Sequence, residues 1–363
     1  MMKIIQRYFV PGLVIQAVLV GGAYSTGREL VEFFLNMGPA SALLAMAFTA
    51  VIFSAASIIL FELARRHRCY EYNAVMGLLL GRLRILFELG YLTGLMLVLA
   101  IASAATAELL NSLLDWPAWV SISLYMTLVV ALVFFGNAVI ERVISIWSLL
   151  FYATYAALFI LVAMRFSDQL GAAMAAAPLR PLDSALNSIT YTAYNMTALP
   201  VLIFVARHFE TRREAIVAGA LAGPLILLPG FVFLLSLSAF YPEINAATLP
   251  IQVILDRVGS PAMAWLVQIV ILGALIKTGA GLLHGFNERL AWTSSGSTPS
   301  LSSSQRSLVS LVIMLIAIVG ATQVGLIDLV GKGYRYSAVY NIAVLLIPIF
   351  TIGLYRVLCE RES

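Results

Sequence analysis

Three clusters of polar residues interrupt an otherwise apolar chain, and each holds groups able to bind or exchange charge. The run Gly21-Gly22-Ala23-Tyr24-Ser25-Thr26-Gly27 is followed by Arg28 and Glu29. The run Thr190-Tyr191-Thr192-Ala193-Tyr194-Asn195-Met196-Thr197 is followed by Pro200. Lys277 and Thr278 precede Gly281, His284 and Glu288, which share a helical face with Lys277. Glycine lets backbone approach a ligand closely, a lone carboxylate can face an ammonium, and a buried amine can shed a proton. Covalent and metal chemistry need other arrangements, a base beside a nucleophile or converging ligands. His67, His208 and His284 suggest neither by their spacing. The chain is therefore expected to bind a ligand rather than transform it, without a cofactor.

The elements that position these clusters follow from composition. Of 363 residues, 61% are hydrophobic and 11% are charged, whereas a soluble domain carries roughly 25% charged residues. That balance implies an integral membrane protein in a lipid bilayer. No small-residue cleavage site follows Met1 to Val10, so a removable leader is not expected. The formal charge of +4 does not imply nucleic acid, because Lys and Arg sit in short connections where they set topology. Runs long enough to cross a bilayer lie near residues 11–36, 39–62, 84–110, 117–136, 143–165, 185–206, 215–238, 262–288, 307–326 and 335–357. Alternate connections differ in charge. One set holds most of the Lys and Arg, among them Lys3, Arg7, Arg65, Arg66, Arg212 and Arg356, and the other only Arg165, Arg180, Arg257, Lys332 and Arg335. Both termini are expected in the cytoplasm. Cys69 and Cys359 fall on that side, where disulfides are rare.

Three connections carry hints of their own. Residues 62–84 read as an inner-surface segment with a short interfacial helix over 72–80. The proline-rich stretch 241–260 lies outside, where it could cap the mouth of a pathway, and the Ser, Thr and Gly of 294–304 read as a flexible inner linker.

The first two clusters fall inside spans one and six. Broken backbone at membrane depth is tolerated only where it is buried in protein or lines a cavity. Glycine pairs also allow close helix packing, and Pro200 alone would kink a helix, so each break has a plainer alternative. Their relation by a shift of five spans suits an inverted five-plus-five repeat, with halves at about 8–166 and 182–358. Corresponding interruptions of this kind mark a transporter's central site. The expected fold is an all-α integral membrane protein of ten transmembrane helices in that repeat, with helices one and six interrupted. Helix N-termini near Ser25 and Thr197 would favour a carboxylate, and C-termini near Gly21 and Tyr191 an ammonium or a metal ion. A zwitterion satisfies both.

Gly21 to Glu29 with Phe33 and Phe34, Tyr194-Asn195 before Pro200, and His284-Gly285-Phe286-Asn287-Glu288-Arg289 together resemble the bacterial YkvI-like membrane proteins. These form a branch of the amino acid/polyamine/organocation transporters with the LeuT-type fold, and the ten-span layout extends the resemblance over nearly the whole chain. The resemblance implies a secondary active transporter of the bacterial inner membrane, working by alternating access on a small zwitterionic solute such as an amino acid. A ligand-sensing receptor with the same fold is the alternative, and neither the solute's side chain nor the oligomeric state can be read.

On this reading Gly22, Ala23, Tyr24, Ser25, Thr26, Gly27, Glu29, Tyr191, Tyr194, Asn195 and Thr197 bind the solute. Glu29 either completes a Thr26-x-x-Glu29 capping box or serves as counter-charge to an ammonium or as a proton acceptor. Tyr24, Tyr191 and Tyr194 either close over the solute or pack between helices. Arg28 could pair with Glu108 or Asp328 as an outer gate. Lys277 lies about 22 Å below the outer end of its span, just past the midplane. In sodium-coupled relatives of the LeuT-type fold a sodium ion sits there between span eight and the broken first span. Lys277 with Thr278 would replace it, its ammonium held by carbonyls near Gly21 and Tyr24, making transport proton-coupled or sodium-free, unless Lys277 forms a static bridge to Glu108 or Glu288.

Overall fold

The computed structural model describes residues 5–135, 137–201, 203–294 and 302–359, and among them every regular element is helical. The first span is α1 (Val10–Leu19), α2 (Gly22–Thr26) and α3 (Arg28–Phe33). Then come α4 (Pro39–Arg66), the short α5 (Tyr72–Leu80), α6 (Arg84–Leu114), α7 (Ala118–Phe135), α8 (Asn137–Arg165) and α9 (Ser167–Ala176). The second half begins with α10 (Pro181–Asn195) and α11 (Ala198–Val201), then α12 (Arg212–Ser238), α13 (Pro250–Val258), α14 (Pro261–Ser294) and α15 (Ser303–Gln323). A final run, α16 (Leu326–Cys359), alternates α and π turns.

Local chemistry sets the starts. Pro39, Pro181 and Pro250 each occupy the first turn of their helix, where a missing N–H costs nothing. Thr211 with Glu214, and Ser302 with Gln305, form reciprocal capping boxes on α12 and α15.

Seven helical segments are long and apolar enough to cross a membrane: α4, α5 with α6, α7, Ile146–Arg165 of α8, α12, Pro261–Leu290 of α14, and α16. This is a multi-pass membrane protein. The two interrupted segments, 5–33 and 181–208, and α15 are consistent with the other three of ten spans. A helix over the expected residues 72–80 is present as α5, and the expected 294–304 linker falls largely outside the described residues.

The spans pack in two groups. Helix α4 lies against α12 and α10, and α12 against α1. The contact is close because Gly219 and Gly223 sit four residues apart on α12. A Cβ on Gly223 would lie 2.0 Å from the Ala50 carbonyl oxygen, and one on Gly219 2.6 Å from the Ile58 nitrogen. Small residues at this spacing let two membrane helices pack backbone to backbone. In the second group α6, α7, α14 and α15 pack together, with α8 against α14. The start of the chain, the end of α4, the start of α12 and the end of α16 share one face. Arg7 reaches Glu214 at 2.5 Å, and Arg66 donates to the Val357 carbonyl at 2.5 Å. This is called the terminal face below.

Candidate functional site

Both interruptions are present, each displaced a few residues from its expected position. Helix α1 ends at Leu19, Val20 and Gly21 leave the helical region, and Gly22 follows with φ +34°. The second piece of span one therefore begins at Gly22 rather than near Ser25. It bends again at Gly27, whose φ of +83° is the left-handed conformation that favours glycine. In span six the first helix runs to Asn195, past the expected end near Tyr191, and the second piece starts at Ala198. Pro200 lies in its first turn, a position proline tolerates.

Span eight meets the first break at Thr278. The Gly22 N–H donates to Thr278 Oγ1 at 3.2 Å, while the Thr278 hydroxyl donates to the Ala274 carbonyl at 2.8 Å. A Cβ on Gly21 would lie 2.2 Å from Thr278 Oγ1. Gly21→Ala should thus push α14 away from the break, at a cost of roughly 1–3 kcal/mol. The expected readouts are a melting temperature lower by several degrees and reduced uptake of solute; wild-type values for both would show that this contact does not hold the break.

A cavity of about 430 Å³ lies where the two breaks meet. It is walled by Gly21, Gly22 and Glu29 of span one, Tyr194, Asn195 and Thr197 of span six, and Lys277 and Thr278 of span eight. From there it continues past Tyr91, Gly94 and His284 toward the terminal face. At that end the Arg289 guanidinium lies 3.7 Å from the ring centroid of Tyr91 and 4.1 Å from that of Tyr72, and 3.5 Å from Glu88.

The carboxylate of Glu29 is buried in this cavity and forms no capping box. Tyr194 donates its hydroxyl to Glu29 Oε1, and Tyr191 offers a second hydroxyl. The Thr26 hydroxyl accepts instead from the Arg28 N–H at 3.3 Å. Tyr194 stacks on Tyr334 at 4.2 Å with planes 7° apart, and Tyr191 packs among Phe33, Phe34 and Tyr194. Such pairs contribute about 0.5–1.5 kcal/mol each beyond burial. Tyr24 is no lid: its ring turns into the helix packing, where Gly230 leaves room for its hydroxyl. Ser25 serves the backbone, donating to the Gly22 carbonyl at 2.7 Å and lending its own carbonyl to Tyr155. Ala23 lies on the same short helix.

The expected Arg28–Glu108 gate is not formed, and Glu108 is exposed on α6. Arg28 is buried, donates to the carbonyls of Asn245 and Ala247 at 3.0 and 3.1 Å, and pairs with Glu32 at 3.0 Å. Glu32 also holds Arg335 of span ten at 3.3 Å. The side opposite the terminal face is thus closed by two guanidiniums sharing one carboxylate, and the proline-rich loop supplies the carbonyls that Arg28 holds. The i,i+4 spacing of Arg28 and Glu32 was visible in the sequence; nothing local pointed to Arg335. Glu32→Gln should weaken this closure. In a background with Cys69 and Cys359 replaced by Ala, a Ser337→Cys reporter in the cavity wall should then react several-fold faster with an impermeant thiol reagent applied opposite the terminal face. An unchanged rate would mean that the network does not seal the site.

Lys277 faces the cavity and donates to Ser148 Oγ at 2.9 Å. The carbonyls near Gly21 and Tyr24 expected to hold it do not, and Glu288 pairs instead with Arg306 at 3.1 Å. Ser148 belongs to a face of α8 that no motif in the sequence marks. Four and seven residues on, Tyr152 donates to Gln16 Oε1 on the first half of span one at 3.0 Å, and Tyr155 donates to the Ser25 carbonyl on the second half. One helix face therefore holds both halves of the broken span and the lysine beside it. Its spacing of four and three is the only sequence signal for it, and an apolar helix offers many such pairs.

No family model and no curated protein matches the sequence. Solved structures do match. MhsT in complex with L-phenylalanine aligns with a TM-score of 0.67 and 15% identity over 96% of this chain and 88% of its own. The Eremococcus coleocola manganese transporter, in complex with an aromatic bis-isothiourea substituted compound, gives 0.54 and 15% over 96% and 79%. A Na+-coupled sialic acid symporter in a substrate-bound outward-open state gives 0.51 and 13% over 99% and 87%. Likeness at this identity shows the fold: the chain is an all-helical membrane protein of the LeuT type, with spans one and six interrupted.

Proposed function

We propose that the protein is a secondary active transporter of a small zwitterionic solute, an amino acid or a close relative, and that it works by alternating access without sodium. The reading includes membership of the YkvI-like branch of the amino acid/polyamine/organocation transporters, cytoplasmic termini and a bacterial inner membrane. The observation that carries it is a single cavity reaching both helix breaks, closed on one side by Arg28, Glu32 and Arg335 and continuing toward the other. With the termini in the cytoplasm, this is an inward-facing state.

Glu29 supplies the counter-charge for an ammonium, and the carbonyl ends of α1 and α10 reinforce it. Of the structural neighbours, MhsT is in complex with L-phenylalanine and the other two are a manganese transporter and a sialic acid symporter. Of these, the amino acid suits the cavity best. Among its lining residues, only Glu29 and His284 are of the types that readily ligate a divalent metal, and Lys277 would repel one. A thermal-shift screen over amino acids, amines and sulfonates would select a ligand. Counterflow of that ligand, labelled, in proteoliposomes then tests carriage; binding without counterflow would reject the transporter in favour of a sensor.

A further inference from the structure

We propose that Glu29 and Lys277 are two fixed charges that the solute itself pairs, Glu29 taking its ammonium and Lys277 its carboxylate. The inference rests on the reading of the cavity as a zwitterion site and adds the residue that holds the anionic end.

Both groups line the cavity, and they are 5% and 4% exposed. Their partners are neutral, tyrosine hydroxyls for Glu29 and the Ser148 hydroxyl for Lys277. Among the described residues neither joins an ion pair, although buried Arg28 and buried Glu62 both do. A buried charge without a counter-charge is expensive. An ammonium and a carboxylate brought in on one molecule offset both costs at once.

The helix ends do not provide an alternative carboxylate site. The pieces that begin at the breaks are not long straight α-helices: α2 has five residues before the bend at Gly27, and span six has turned to 3-10 geometry by Ile203–His208, so few peptide dipoles align in them. Three of the first N–H groups of α2 are also committed, Gly22 to Thr278 and Tyr24 and Ser25 to the Gly21 carbonyl. By contrast, the helices that end at the breaks have ten and fifteen residues, and their carbonyl ends favour the cationic end of the solute. The anionic end is left to Lys277, whose ammonium has two N–H groups beyond the one given to Ser148.

The two charges also stand on different helices. Glu29 rides on α3, which packs on α10, α12 and the start of α16, and Lys277 on α14, which packs on α6, α7 and α8. A solute pairing both adds a tie between these helices beyond the Gly22–Thr278 bond, and one lacking either charge does not. Leu95, Leu97, Val98 and Leu282 complete the wall, so probes with apolar side chains suit it.

The test compares L-leucine with 3-methylbutylamine, and L-phenylalanine with phenethylamine, each amine lacking only the carboxylate. Calorimetry on the purified full chain should show wild type preferring the amino acid by about tenfold or more. Lys277→Met should bring that ratio close to one, and Lys277→Arg should retain most of it. A second measurement needs no variant: L-leucine should protect Lys277 of the wild type from acetylation by acetic anhydride, read by mass spectrometry, and 3-methylbutylamine should not. A preference that survives in Lys277→Met, or equal protection by the amine, overturns the anchor and leaves the carrier reading standing. If no amino acid binds the wild type, the zwitterion reading fails and the anchor with it.

Discussion

Glu29→Gln is expected to lower affinity for the transported solute by roughly 30-fold, about 2 kcal/mol, with little loss of folding. The substitution keeps the shape of the side chain and an oxygen that can accept from Tyr194, so the packing around Phe33, Tyr191 and Tyr334 has no reason to change. What it removes is the negative charge. Hydrogen bonds to charged groups are worth about 1.5–3 kcal/mol, against about 1 kcal/mol for a lost helix cap. The two roles open to Glu29 in the sequence therefore predict different outcomes. Calorimetric binding of the best ligand from the screen, alongside the melting temperature, separates them. Wild-type affinity with a slightly lower melting temperature would reduce Glu29 to a structural carboxylate.

The parts of this architecture that were legible in the sequence depend on local periodicity or on forbidden chemistry. Spans could be read because each buries its polar backbone within itself, and the breaks because Gly21, Gly22 and Pro200 are costly in an uninterrupted membrane helix. Burial of Glu29 and Lys277 followed from depth alone. Partners were the weak point. Thr26-x-x-Glu29 fitted a capping box by spacing, but the bend at Gly27 turns the carboxylate away from Thr26 and toward span six. Lys277 was given backbone carbonyls of span one, and its partner is Ser148 on a helix 129 residues away in sequence. Arg28 was matched to Glu108 across the chain when Glu32, one turn along, already served it. The terminal-side aromatic cluster of Tyr72, Tyr91 and Arg289 went unread because three separate segments meet there. Long-range side-chain pairing is set by how helices are rotated against one another, and a single sequence carries little record of that rotation.

The largest predicted difference from a sodium-driven carrier is that replacing external sodium by choline at fixed pH leaves uptake into proteoliposomes unchanged, whereas Lys277→Ala abolishes it. A coupling cation at the junction of spans one and eight would have to neutralise backbone carbonyls at the first break and hold α14 against it. Here Thr278 makes the direct bond to Gly22, and the amine of Lys277 stands on the adjacent residue. A sodium ion beside its ammonium form would meet repulsion of several kcal/mol at an effective dielectric of about 20 and a separation of about 4 Å. Sodium binding at this junction and a charged Lys277 are therefore mutually exclusive to a good approximation. Lys277→Ala removes the ammonium and leaves the carboxylate end of the solute without a partner. Added sodium should not restore transport, because the alanine variant gains space without the oxygen ligands that a sodium ion needs. Two results would count against this account. Loss of wild-type uptake in choline would show that sodium binds despite the lysine, and sodium-dependent uptake by Lys277→Ala would show that the junction retains a complete cation site from which Lys277 merely excludes the ion.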